Sequence, residues 1–565
     1  MTRSSDQTRT PSSLSEVITR AHAWAAEDPD ARTRRELELL LTRVESEHDH
    51  EAAAELADRF AGRLEFGTAG LRGALGAGSN RMNRVVVIRA AAGLASYLLG
   101  NGAASGDSVV IGYDARHNSP VFAQDTAAVM VGAGFRAKVL PRPMPTPVLA
   151  YAVRTLGCVA GVMVTASHNP PQDNGYKVYL RDGSQIVPPA DTEISAAIDA
   201  VGALFQVPRG EEWEVLDDGV LEAYLDRVSA LVSPSGPRGL VSVYTPLHGV
   251  GGESVIQVMK RAGFDPPHVA TAQAAPDPDF PTVTFPNPEE PGAMDLSMQL
   301  AAEVRADIVL ANDPDADRCA VATPTLAGWR MLRGDEVGAL LGDFLLRRGV
   351  RGVYATSIVS SSLLGKMAPV YGQEYRETLT GFKWLGRIEG LAFGYEEALG
   401  YCVAPELVRD KDGVSALVLI AELAATLKAQ GRTLQDQLDT IARTFGLHAT
   451  DQLSVRVSDL ALIAEAMARL RAAPPRELGG LRVDRVDDLS EGSADLPSTD
   501  GLRYRLSDDA RVIVRPSGTE PKIKCYLEVV VPVTGGQDGA VDAARIAAAG
   551  RLDAIRSDLT RAAGL

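Results

Sequence analysis

The sequence predicts an α/β protein of four domains, the first three built alike and the fourth of α+β type. Three observations predict it. First, β-rich runs alternate with Ala-rich helical runs along most of the chain, which implies layered sheets with mostly parallel strands. Second, 565 residues leave room for about three to four domains. Third, the chain breaks its rhythm three times. It turns polar over Gly202–Asp218, around Pro208 and Gly210; it makes a Pro/Gly turn at Thr323–Gly328; and a long helical region gives way to strand-like sequence at Phe445–Gln452. The expected domains are therefore 1–205, including an N-terminal extension, then 206–325, 326–446 and 447–565.

The elements follow in order. The first dozen residues are rich in Ser, Thr and Arg and lack the makings of a core. From Leu14 to Arg63 the pattern is helical and heavily charged. Strands are expected at Ser108–Tyr113, Val159–Val164, Leu240–Thr245, Asp307–Leu310, Val353–Ile358, Val512–Val514 and Ile523–Val531. Helices such as Arg89–Leu99 and Val414–Leu427 lie between them. The fourth domain ends in two strands joined by a tight turn and then a long helix, Ala540 to Arg561.

Composition narrows the function. Apolar residues make up 45%, enough for ordinary cores. Lys plus Arg total 57 against 73 for Asp plus Glu, a formal net charge of −16. Such a surface repels nucleic acid and anionic membranes, so neither is expected as a partner. A small anionic substrate remains compatible, because a local Arg/Lys cluster can hold one. The four cysteines, Cys158, Cys319, Cys402 and Cys525, form no C-x-x-C pair, which suits a reducing compartment. The polar start lacks the apolar core of a signal peptide, and Ala416–Leu427, the most apolar stretch, is short and carries Glu422. A soluble cytoplasmic protein is expected.

Polar clusters fall just past the carboxyl ends of predicted strands: Asp114, Ser167, Asp313 and Arg515. In α/β sheets ligands bind there. Thr165-Ala166-Ser167-His168-Asn169-Pro170 is a small-residue turn with a hydroxyl at its tip and an imidazole beside it. A serine there can be exposed as a nucleophile; a Ser turn leading into a helix would account for it equally. A hydrolase elbow, G-x-S-x-G, is absent. Asn312-Asp313-Pro314-Asp315-Ala316-Asp317-Arg318 alternates three carboxylates. In an extended loop they point the same way and repel one another unless a cation joins them. Hard oxygen ligands suit Mg²⁺ or Ca²⁺; a solvated acidic turn is the plain alternative. Arg515-Pro516-Ser517-Gly518-Thr519-Glu520-Pro521-Lys522 assembles an anion cradle, with Arg515 able to grip a phosphate through two parallel hydrogen bonds; a Gly hairpin turn is the alternative. Gly67–Gly73 with Arg72, Gly381–Trp384 with Lys383, and Gly394–Gly400 with Glu396 and Glu397 are weaker signals taken singly.

In this order the motifs resemble the α-D-phosphohexomutase superfamily: phosphoglucomutases, phosphomannomutases and the phosphopentomutase-like branch. The resemblance runs from Leu64 to Val531. It implies four domains around a central cleft, three of them mixed-sheet α/β and the last α+β, each giving one loop to the site. By this resemblance Ser167 is the phosphoserine. Asp313, Asp315 and Asp317 hold Mg²⁺, with a Ser167 phosphate oxygen completing the set. Glu396 contacts sugar hydroxyls. Arg515, Ser517, Gly518 and Thr519 bind the phosphate that is not reacting. Arg72, His168, Lys177 and Lys383 lie near the reacting groups, with Lys177 the candidate general acid/base, and Arg318 sits beside the metal loop facing the substrate. The implied reaction interconverts a sugar 1-phosphate with its 6-phosphate, or 5-phosphate for a pentose, through a sugar bisphosphate that also serves as activator.

One departure bears on the sugar. Many hexose-specific members read Glu-x-Ser where this chain has Glu396-Glu397-Ala398. Losing the hydroxyl removes a contact to a sugar oxygen. With Thr380–Trp384 and Asp410-Lys411-Asp412-Gly413, this most resembles the phosphopentomutase-like branch, which implies glucose or pentose phosphates, with mannose phosphate the alternative. Readings of another class are an Mg²⁺-dependent sugar phosphatase using one of the aspartates as nucleophile, and a sugar-phosphate sensor without turnover. The expected partner is a small phosphosugar, and the expected state is monomer or dimer.

Overall fold

Among the described residues three amphipathic helices come first: α1 (Leu14–Glu27), α2 (Ala31–Ser46) and α3 (His50–Arg59). Ser13, Asp30 and Asp49 cap them with side-chain oxygens on backbone N–H groups. Val17, Leu37, Leu40, Leu56 and Phe60 make their shared core. The computed structural model describes residues 13–64, 66, 70–457, 460–493, 496–517, 522–535 and 539–564. It divides into two units, Met1–Val220 with Asp277–Pro286, and Leu221–Pro276 with Asn287–Leu565.

In the first unit β1 (Leu71–Ala74), α4 (Arg84–Gly100), β2 (Ser108–Tyr113), α5 (Ser119–Gly132), β3 (Arg136–Val139), α6 (Thr146–Thr155), β4 (Ala160–Val164), β5 (Asp173–Leu180), α7 (Ala190–Asp199) and β6 (Glu214–Val215) follow the helices. The sheet order is β1-β5-β4-β2-β3-β6. β4, β2, β3 and β6 are parallel; β5 and β1 run against their neighbours. Every residue of β4 is buried, which explains its unbroken apolar sequence: helices cover both faces of a parallel sheet.

The second unit holds three more sheets. The first follows α8 (Gly219–Ser229). It comprises β7 (Ser242–Thr245), α9 (Gly251–Arg261), β8 (His268–Val269), α10 (Asp295–Val304), β9 (Ile308–Ala311), β10 (Ala320–Thr325) and β11 (Gly328–Met331), ordered β11-β10-β9-β7-β8. Thr323–Gly328 is thus the tip of the β10–β11 hairpin, with Leu326 and Ala327 as its turn. The next sheet comprises α11 (Gly334–Arg347), β12 (Val353–Ser357), α12 (Leu363–Val370), β13 (Glu374–Thr378), α13 (Phe382–Leu385), β14 (Leu391–Glu396), β15 (Gly400–Cys402), α14 (Gly413–Ala429) and α15 (Leu434–Phe445), ordered β13-β12-β14-β15. The last is all antiparallel: β16 (Leu447–Arg456), α16 (Leu460–Ala472), β17 (Glu477–Leu478), β18 (Leu481–Asp488), β19 (Leu502–Leu506), β20 (Arg511–Pro516), β21 (Lys522–Val531) and α17 (Ala540–Ala563), ordered β16-β21-β20-β19-β18-β17.

The sheets of the first three domains are mixed: parallel pairings predominate, and the antiparallel ones at the candidate loops recur in one form. β4, β9 and β14 each run parallel to a neighbour and are followed by a turn and an antiparallel strand: β5, β10 and β15. β20 is likewise followed by an antiparallel partner, β21, although its other neighbour, β19, is antiparallel too. Each of the four candidate loops therefore hangs from two hydrogen-bonded strands, which fixes both of its ends. Among the described residues no single helix is long and apolar enough to cross a membrane.

Candidate active site

In the first unit β4 delivers Ser167. Asp114 N donates to Val164 O and Thr165 N to Gly175 O, so the chain stays paired up to the turn. Thr165 Oγ1 then accepts from Ser167 N at 2.9 Å. Ser167 itself sits at φ 51°, a left-handed conformation rare for a residue with a side chain. Its Oγ lies 3.2 Å from His168 Nδ1. The sequence left open an exposed nucleophilic serine or a Ser turn leading into a helix. The structure corrects both points: Ser167 is 2% exposed, and the loop returns as β5. Packing of β5 against the turn leaves no room for a side chain at Gly175, where a Cβ would fall 2.5 Å from Thr165 O.

β5 and β1 carry the companions. Lys177, buried, pairs with Met163 of β4, and Arg72 pairs with Gly175. Arg72 Nη1 donates to Asn169 Oδ1 at 3.0 Å, and Asn169 Nδ2 to Asp173 Oδ2 at 2.8 Å. Arg72, Ser167, His168 and Lys177 thus occupy one end of three adjacent strands. The expected glycine loop becomes a strand after Gly70. Gly67, Thr68 and Ala69 lie outside the described residues.

In the second unit β9 delivers the three aspartates. Asp313, Asp315 and Asp317 are fully buried, and one oxygen of each lies within 4.8 Å of the others. The expectation of an extended loop is corrected. Ala316 N donates to Asp313 O at 2.9 Å and Ala316 has φ 55°, so the carboxylates converge by curling. The curl is held from outside: Val250 N donates to Pro314 O at 2.8 Å, and Asn312 Nδ2 to Arg318 O at 2.6 Å. Three buried carboxylates at this separation fit a divalent cation with hard oxygen ligands. Cations also surround them. Arg318 Nε is 3.8 Å from Asp313 and 3.9 Å from Asp317. Lys411 Nζ is 3.2 Å from Asp317 Oδ2 and 3.4 Å from Asp410 Oδ1. Burial alone would lower the Lys411 pKa, but Asp317, Asp410 and Glu396 outweigh it and hold the ammonium well above its ordinary range. Lys411 stood in the noted Asp410–Gly413 stretch, yet its partner lies far away in sequence.

Glu396 ends β14. Its Oε1 accepts from Gly381 N at 2.5 Å, which ties it to the Lys383 turn. Burial raises the Glu396 pKa, while Lys411, the Gly381 N–H and Arg318 oppose the rise. Lys383 is buried with Nζ 5.4 Å from the Trp384 ring centre. Next door, Glu397 accepts from Ser360 Oγ at 3.2 Å and Ser357 Oγ at 3.3 Å. Burial, the Glu396 charge and the Asp335 charge push its carboxyl up to about 8. In the last domain Arg515 faces Lys524 across the β20–β21 pair, and Ser517 N donates to Lys522 O at 2.8 Å to begin the turn. Lys524 adds a cation to the predicted cradle. Gly518 and Thr519 lie outside the described residues.

The four domains match, in order, four family descriptions: phosphoglucomutase/phosphomannomutase α/β/α domain I at residues 63–204, domain II at 222–328, domain III at 333–445 and the C-terminal domain at 453–544. The chain belongs to the phosphoglucomutase/phosphomannomutase family. It is thereby a phosphosugar mutase, an intramolecular phosphotransferase. A Haemophilus influenzae protein named "Probable phosphomannomutase" is 49% identical over 455 residues, covering 79% of this chain and 93% of that one. The Mus musculus "Phosphopentomutase" is 37% identical over 542 residues, covering 85% and 86%. A solved phosphoglucomutase/phosphomannomutase family protein from Burkholderia thailandensis shares the fold at TM-score 0.68 and 21% identity, covering 88% of this chain and 97% of that one. The relatives carry different sugar names, and so support the mutase chemistry without choosing the sugar.

Proposed function

We propose that the protein interconverts the 1-phosphate and 6-phosphate of glucose, or the 1-phosphate and 5-phosphate of a pentose, with Ser167 as the phosphoryl carrier and Mg²⁺ as the metal. The buried convergence of Asp313, Asp315 and Asp317 carries this reading. Three carboxylates so placed need a cation, and phosphoryl transfer depends chiefly on positioning and charge neutralisation. Mg²⁺ bound there would draw charge from the transferring group.

The chain's own residues do the rest. Ser167 Oγ takes and returns the phosphoryl group, held at the tip of its turn by Thr165. Lys177 and His168 manage the proton of the attacking or leaving sugar hydroxyl, and Arg72 steadies the loop through Asn169 while facing the reacting phosphate. Glu396 and Lys383, tied together through Gly381, accept and donate hydrogen bonds to sugar hydroxyls. Arg318, beside Asp313 and Asp317, contacts the substrate. Arg515 and Ser517, with Gly518 and Thr519, grip the non-reacting phosphate. A sugar bisphosphate is the intermediate and the activator: phospho-Ser167 gives its phosphoryl group to the free hydroxyl of the sugar monophosphate, and the bisphosphate so formed returns its other phosphoryl group to Ser167, leaving the isomeric monophosphate.

Ala398 and the pentose-type relative support a site tolerant of ring size. A panel of glucose, mannose, ribose and deoxyribose 1-phosphates, with glucose 1,6-bisphosphate present, tests this by kcat/KM. Glucose and a pentose phosphate should lead. A mannose phosphate leading by more than tenfold would contradict the assignment. Release of inorganic phosphate without isomerised product would favour a phosphatase instead.

A further inference from the structure

We propose that Arg116 is the positioning residue of the Ser167 loop and that Phe280, on the segment Asp277–Pro286, holds Arg116 in place. The proposal rests on the reading of Ser167 as phosphoryl carrier. Arg116 is 2% exposed and spends its guanidinium on backbone carbonyls of one loop. Nη2 donates to Ser167 O at 2.6 Å and to Asn169 O; Nη1 donates to Pro170 O at 2.8 Å and Asp173 O at 3.2 Å. Four carbonyls spanning the whole turn thus converge on one planar, permanently charged fork. A lysine, with a point charge on a flexible stem, cannot reproduce that set. Buried Asp114 balances the charge, with Oδ2 3.4 Å from Arg116 Nε and Oδ1 accepting from Arg116 N at 3.0 Å.

The fourth side is closed by an aromatic face. The Arg116 guanidinium carbon lies 4.8 Å from the centre of the Phe280 ring, a desolvated cation–π contact. Phe280 comes from a segment whose sequence neighbours on both sides belong to the other unit. It is 2% exposed and held at φ 46°, a conformation costly for a bulky residue and retained only where the surroundings impose it. His117 Nε2 meets Asp279 Oδ1 at 2.7 Å beside it. The segment therefore acts as a strap across the Arg116 clamp, and the clamp sets where Ser167 Oγ stands. Misplacement of a reacting atom by about 1 Å costs about 100-fold in rate.

Four variants, Ser167→Ala, Arg116→Lys, Phe280→Ala and Phe280→Leu, test this with glucose 1-phosphate, glucose 1,6-bisphosphate and Mg²⁺. Arg116→Lys should lower kcat about 100-fold with KM within about twofold. Phe280→Ala should lower kcat about tenfold, again without moving KM, and Phe280→Leu, which restores apolar cover without the ring face, should recover part of that. Activity in Ser167→Ala overturns the carrier reading itself. An inactive Ser167→Ala beside Arg116 and Phe280 variants whose kcat stays within about twofold overturns the clamp alone. So does a loss that merely tracks the fraction of folded protein. Phe280→Leu keeps the question open to refutation if Arg116→Lys does not fold.

Discussion

Buried charge sets the character of single residues here. Asp313, Asp315 and Asp317 are fully buried within one small volume, and in the proposed site each would serve as a ligand of the cation. Asp315→Asn should lower kcat by at least about 100-fold and raise the Mg²⁺ concentration giving half-maximal rate. A titration of rate against Mg²⁺ reads both, and an unchanged half-maximal concentration would count against the assignment. Glu397 makes a different prediction. Its carboxyl is raised from 4.5 to about 8 by burial, Glu396 and Asp335. The folded protein therefore keeps that proton where the unfolded chain has lost it, and raising the pH between those values favours unfolding. The urea midpoint should fall from about pH 5 to about pH 8, and fall less in Glu397→Gln. Equal slopes would show that Glu397 does not titrate there.

At the scale of elements, the four hairpins place the chemistry. Their sequence signals were legible because parallel strands buried on both faces, such as Ala160–Val164 and Ile308–Ala311, read as apolar runs, and polar residues follow at once. The antiparallel returns were harder to read. β5 mixes Asp, Asn, Gly and Lys into its eight residues, and β1 opens beside glycines. The curl of the aspartate loop was illegible because one of the groups that impose it, the Val250 N–H, acts on Pro314 O through a backbone contact that no local spacing encodes. Contacts to the same loop give a test. A Cβ at Gly413 would lie 2.2 Å from Arg318 O and 2.7 Å from Ala316 O. Gly413→Ala should displace the loop, costing about 1–3 kcal/mol of stability by urea unfolding and weakening Mg²⁺ dependence with it. Unchanged Mg²⁺ dependence would mean the loop is set elsewhere.

Over the whole molecule, the acidic surface and the local cation clusters reconcile a formal charge of −16 with an anionic substrate. Within the second unit, Arg511 joins the last sheet to the one before it. It donates to Glu528 Oε2 at 2.6 Å, Ile358 O at 3.2 Å, Glu377 Oε1 at 3.2 Å and Ser360 O. Arg511→Met strands the buried Glu528 charge and should cost about 3–5 kcal/mol in urea unfolding. Such long-range pairs, like Lys411 with Asp317 and Arg116 with the Ser167 loop, escaped the sequence because folding, not spacing, makes them neighbours. What the sequence did reveal was that polar residues such as Ser167 and Asp313 follow directly on buried strands. The central claim concerns Ser167. Mass spectrometry of the protein after incubation with glucose 1,6-bisphosphate and Mg²⁺ should find one phosphoryl group on Ser167, lost again on adding glucose 6-phosphate, and none on Ser167→Ala, which should also be inactive. Full turnover with Ser167 unphosphorylated, or an active Ser167→Ala, would contradict it.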